Sequence, residues 1–92
     1  MFIGRKERTI IDMALFVLHH THDADDCAAA FAAWSGFESP LRHRPASSTC
    51  LAGGHCVLWQ VEAPGVGEAI AMLPTFVAAR TEAVEVREVE IP

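Results

Sequence analysis

Phe16-Val17-Leu18-His19-His20-Thr21-His22-Asp23-Ala24-Asp25-Asp26-Cys27 is the stretch around which the rest of the chain is organised. Met13 to His20 is a nearly unbroken apolar run, the pattern of a central strand buried on both faces. Asp23 then reads as a helix N-cap, with Asp25 and Asp26 in a first turn whose unpaired N–H groups favour negative charge. The helix is expected to reach about Trp34. Cys27, Phe31 and Trp34 fall at i, i+4 and i+7 and form one apolar stripe, and Ser35-Gly36 ends it. A strand therefore ends in a histidine cluster and gives way at once to a helix that begins with a cysteine.

Outward from this stretch, residues 37–47 read as irregular, because Pro40 and Pro45 bar a regular interior strand. Residues 47–52 form a weaker strand, and Gly53-Gly54 signals a tight hairpin. His55 to Ala63 is the second strong strand, with Val57, Trp59 and Val61 on one face and Cys56, Leu58, Gln60 and Glu62 on the other. Val66 to Leu73 reads as a second helix that Pro74 breaks. Residues 83–91 alternate as a last strand whose phase slips between Arg87 and Glu88, read here as a bulge. The order β-α-β-β-α-β predicts an α+β fold, a ferredoxin-like βαββαβ sandwich in which an antiparallel sheet is backed by two helices. Its two central strands are expected to run parallel. That places His55 at the end remote from His22, about seven residues away at ~3.3 Å each, so that only a second subunit could join them.

The chain has 92 residues, enough for one domain over 13–92 preceded by an N-terminal extension, 1–12. The extension reads either as residues upstream of an original start at Met13 or as an arm that packs on a partner subunit. A domain this small buries about 60–65% of its unfolded surface, yet 51% of the residues are apolar, which predicts a homodimer that covers part of them. Seven bases against twelve acids, with no basic cluster beyond Arg5, Lys6 and Arg8, argue against a nucleic-acid partner. No apolar run reaches the roughly 18 residues a membrane span needs, and Asp12 interrupts the only leader-like start. Three cysteines without a CxxC pair predict reduced thiols and a cytoplasmic setting, with a Cys50–Cys56 disulfide across the hairpin as the alternative.

His20 and His22 occupy alternate strand positions and so share a face, where neutral imidazoles suit nickel, zinc or copper. His19 points away. Cys27 in a helical first turn is a candidate ligand or nucleophile, although its apolar stripe also fits a core cysteine. His55 completes the candidate metal set of His20, His22, Cys27 and His55. His43, Glu62, Glu82 and Glu85 are expected neighbours. A water-facing strand end explains alternating histidines equally well. The glycines of Gly53-Gly54 and Gly65-Val66-Gly67 form neither a phosphate loop nor a nucleotide or flavin fingerprint. Trp34 and Trp59 read as core rather than cofactor platforms, and no catalytic residue is identified.

The segments Leu18-His19-His20-Thr21-His22, Gly53-Gly54-His55-Cys56, Val61-Glu62-Ala63, Leu73-Pro74-Thr75-Phe76 and Val89-Glu90-Ile91-Pro92 resemble a small bacterial group of ferredoxin-like domains, related to nickel-binding ones. The resemblance implies a dimer of ferredoxin-like subunits and a transition metal held by first-strand histidines, with His20 and His22 the residues that carry over. The long segment 37–47 departs from the compact nickel-binding pattern. A broader similarity is to dimeric α/β-barrel proteins, which include small monooxygenases and isomerases. Three functions follow as expectations: metal binding through His20 and His22, a cofactor-independent enzyme using a histidine as acid/base on a small apolar ligand, and a structural accessory dimer. The enzyme reading requires a cavity of a few hundred Å³ lined by one of these histidines.

Overall fold

A computed structural model describes residues 13–50 and 53–92. The expectations for the 1–12 extension and for residues 51–52 lie outside the described residues. The chain is an α+β fold with one four-stranded antiparallel sheet and three short helices. Strand β1 spans Ala14–Thr21, β2 Ser47–Ser48, β3 Cys56–Ala63 and β4 Thr81–Val86. Helix α1 spans Cys27–Ala32, preceded by a single 3-10 turn at Ala24–Asp26, α2 spans Val66–Ile70 and α3 spans Thr75–Ala78.

The sheet order is β2-β3-β1-β4. β1 lies at its centre, paired with β3 from Ala14↔Ala63 to Thr21↔Cys56 and with β4 from Leu15↔Val86 to His20↔Thr81. Both pairings are antiparallel, which corrects the expected parallel centre. The reason is a matter of direction: β2 runs parallel to β1 after the α1 crossover, and the Gly53-Gly54 hairpin reverses the chain once more before β3. His55 therefore starts its strand beside the end of β1, and the His22 amide donates to the His55 carbonyl at 3.1 Å. One subunit suffices to bring them together.

Alternation along β1 sends Phe16, Leu18 and His20 to one face, and all three are buried. There Phe16 and Leu18, with Val61 and Ala63 of β3, meet Ala69, Leu73 and Val77 of the α2–α3 segment. Burying each of these larger side chains contributes about 1.5–3 kcal/mol. Leu15 and Val17 turn to the opposite face and are half-buried, so the strand is not enclosed on both sides as its composition suggested. Leu58 and Val84 are exposed on that face.

Local signals account for several boundaries. Asp23 takes the extended backbone of a cap, with φ −76° and ψ 160°, but its side chain makes no capping hydrogen bond. α2 stops at Ile70, short of the expected Leu73, and Pro74 caps α3 with φ −60° and ψ 154°, its ring fixing φ. β4 stops at Val86, so the phase slip at Arg87–Glu88 marks the end of the strand and not a bulge, and Val89 and Ile91 beyond it are exposed. Among the described residues no helix is long and apolar enough to cross a membrane.

Candidate metal centre

The end of β1, the start of α1 and the start of β3 converge at one corner of the fold. His22 follows β1, Cys27 opens α1 and His55 precedes β3, and their ligand atoms all lie within 4.8 Å of one another. Cys27 Sγ sits between the two rings, 3.3 Å from His22 Nε2 and 3.2 Å from His55 Nδ1. All three residues are half-buried, which leaves the group within reach of solvent.

His20 stands behind this trio and is not one of the three convergent ligands. The residue is 2% exposed. Its Nδ1 faces the Val77 carbonyl at 3.3 Å and Thr81 Oγ1 at 3.2 Å, while the Thr81 hydroxyl donates to the same carbonyl at 2.7 Å. A carbonyl only accepts, and the Thr81 proton is already committed, so Nδ1 carries the proton of a neutral His20. Its Nε2 is then an acceptor, and the His22 Nδ1–H donates to it at 2.8 Å. That fixes the lone pair of His22 on Nε2, the atom that faces Cys27. The tautomer of the outer histidine is thus set by the inner one, as metal-binding histidines commonly require.

Burial is the main cause holding the His20 imidazole below its ordinary value. The Val77 carbonyl opposes this, and repulsion of a His20 charge by the neighbouring His22, Arg80 and His19 side chains adds to it. The buried ring therefore stays neutral, which keeps its Nε2 available to His22.

Of the four candidate ligands, three converge and His20 takes the supporting position. His19 is exposed on the opposite face, opposite Leu58 and Glu82. Cys27 does not point into the core as its stripe with Phe31 and Trp34 suggested, and Phe31 itself is 70% exposed. α1 ends at Ala32, short of Trp34, so the stripe does not stay in helical register to its end. Glu62 pairs opposite Leu15 at the far end of β1 and Glu85 opposite Phe16, which removes both as neighbours of the centre. Cys50 and Cys56 are free thiols, as is Cys27. Two supporting groups escaped sequence reasoning, the Val77 carbonyl and Thr81, because contacts 57 and 61 residues from His20 leave no local pattern.

Beside the centre lies a cavity of about 430 Å³ between sheet and helices, bounded by His20, His22, Trp34, Val57, Trp59 and the 41–46 segment among others. His43, expected near this end, is on its wall. Trp34 and Trp59 meet there with ring centroids 5.8 Å apart while also packing on the core. Comparison of the chain with models of known protein families, with curated proteins and with solved structures gives no match in any of the three.

Proposed function

We propose that this protein binds a divalent transition metal through His22 Nε2, Cys27 Sγ and His55 Nδ1, with His20 orienting His22. The observation that carries the reading is the placement of one sulfur between two imidazole nitrogens at 3.2 and 3.3 Å. A tetrahedral metal with bonds of about 2.3 Å to sulfur and 2.0–2.1 Å to nitrogen separates sulfur from nitrogen by about 3.5 Å, so both sulfur–nitrogen distances are within a few tenths of an ångström of those a bound metal sets. Two imidazoles and one thiolate suit zinc, copper or nickel and leave a fourth position for water or a ligand. Metal entry displaces the Cys27 proton and requires the lone pair of His55 on Nδ1.

The strand order and the uniformly antiparallel register support a ferredoxin-like sandwich as the finer description of the fold. The exposed Leu58 and Val84 on the helix-free face support a homodimer formed through that face. The test of the metal reading is elemental analysis of untagged protein, alongside Cys27→Ser and His55→Ala variants. One metal per wild-type chain and a sharp loss in both variants is the expected result. Equal content in all three removes the proposal.

The cavity favours a second reading, an enzyme of the dimeric α/β-barrel type in which His22 moves a proton on a bound apolar molecule. His22 is on the wall of that cavity. In this reading activity survives exhaustive chelation.

A further inference from the structure

The cavity beside the centre has a composition at odds with the rest of the chain. The protein carries twelve acids and seven bases, yet the cavity lining includes two arginines and three histidines and, among the described residues, no carboxylate. Its remaining walls are largely apolar, with Phe31, Trp34 and Trp59 supplying the aromatic surface. A solvent-facing Phe31 on a short helix has no packing role in the core, but it forms part of this wall.

The cationic side is built by the segment between α1 and β2. Arg42 donates from Nη1 to the Phe37 carbonyl at 3.4 Å, and among the described residues its other guanidinium N–H groups meet no acceptor. Arg44 follows two residues later on the same wall. His43 between them has φ 64°, a left-handed conformation that costs a non-glycine residue of order 1 kcal/mol or more. The segment is tied down by Ser39, whose hydroxyl donates to the Met72 carbonyl at 2.7 Å.

We propose that this cavity binds a small, flat aromatic molecule carrying one carboxylate. The ring lies among Phe31, Trp34 and Trp59, and the carboxylate takes charge-assisted hydrogen bonds from Arg42 and Arg44. A volume of about 430 Å³ is within the ordinary range for small-molecule sites and accommodates a one- or two-ring acid. The proposal deepens the metal reading through His22, which belongs both to the candidate centre and to the cavity wall. The centre then supplies the place at which such a ligand is sensed or altered.

The test is isothermal titration calorimetry of untagged protein with naphthoate and with its uncharged amide, naphthamide, on samples whose metal content has been measured. Naphthoate is expected to bind once per chain and at least about tenfold more tightly than naphthamide, since only the acid engages both guanidinium groups. The Arg42→Gln/Arg44→Gln variant should bring the two affinities together. Phe31→Ser, at a position exposed enough to leave folding intact, should weaken both ligands several-fold. Equal affinities in the wild type overturn the anionic class, and no binding of either compound overturns the cavity. Cys27→Ser separates this proposal from the metal reading, because Cys27 is a candidate ligand that does not line the cavity. Naphthoate binding retained in that variant leaves the cavity standing whatever the metal content. Wild-type protein that holds metal but binds no naphthoate overturns the cavity alone.

Discussion

Replacing His20 with phenylalanine separates the support of the centre from the centre itself. His20 is 2% exposed, so the somewhat larger phenyl ring keeps the site filled with an aromatic group while removing both ring nitrogens. On the inner side nothing is stranded, because the Thr81 hydroxyl still donates to the Val77 carbonyl at 2.7 Å. On the outer side the His22 Nδ1–H loses the acceptor it reaches at 2.8 Å, and nothing then fixes which nitrogen of His22 carries the lone pair. Loss of such a support typically weakens a metal about 10–100-fold, or about 1.4–2.7 kcal/mol. Metal-free stability at neutral pH should fall by about 1–3 kcal/mol, since the bonds of His20 to the Val77 carbonyl and to His22 are both lost and a bulkier, more apolar ring takes their place.

Acid should separate the two proteins in a second way. The His20 imidazole is held below 6.5 in the native state, chiefly by burial, so the unfolded chain takes up its proton first as pH falls. Stability from neutral His20 is therefore complete above about pH 6.5 and declines below it, by at most about 1.4 kcal/mol per pH unit, until the native ring also titrates. The phenylalanine variant lacks this component. Competition with a chromophoric chelator measures the affinity, and urea unfolding in excess chelator between pH 7.5 and 5 measures the slope. Unchanged metal affinity in a folded variant, or an identical acid slope, would refute the assigned role of His20.

Other substitutions probe the frame. Zinc at about 100 times its dissociation constant should stabilise the fold by about 2.7 kcal/mol, a rise in Tm of order 10–20 °C that Cys27→Ser abolishes in a thermal melt. Leu18→Ala, at a fully buried position in the β1 core, should cost about 3–5 kcal/mol in urea unfolding and leave much of the chain unfolded. Gly54→Ala places a Cβ 2.8 Å from Thr49 Cβ and closer still to Thr49 Oγ1, so the hairpin must shift. A loss of about 1–3 kcal/mol is expected, with weaker metal binding, because this turn delivers His55.

Much of the architecture was legible where the local pattern and the tertiary demand coincide. The apolar run of β1, the alternation of Val57, Trp59 and Val61, and the break at Pro74 all carry their cause within a few residues. The relative direction of β1 and β3 does not, and it depends on counting reversals through α1 and the Gly53-Gly54 turn. An error there separates His55 from His22. The candidate ligands themselves were visible as metal-capable types, but the division between His20 as support and His22 as candidate ligand depends on Val77 and Thr81, more than fifty residues from His20. Cys27 was ambiguous for a similar reason. The stripe with Phe31 and Trp34 assumes a longer helix than α1, and in the folded chain Phe31 is outside the core.

The pairing of Thr21 with Cys56 has a consequence for how the chain chooses among alternative sheets. A slip of one residue between β1 and β3 would turn every side chain of one strand to the wrong face and displace its end by about 3.3 Å. Phe16 and Leu18 already oppose that slip through the core. A metal shared by His22 and His55 would add a second, chemically independent selection, because only the native alignment brings both rings to the same sulfur. An ion that arrives early in folding would thus act as a gauge of register, rewarding one pairing of the strands and leaving the misaligned ones without a ligand set.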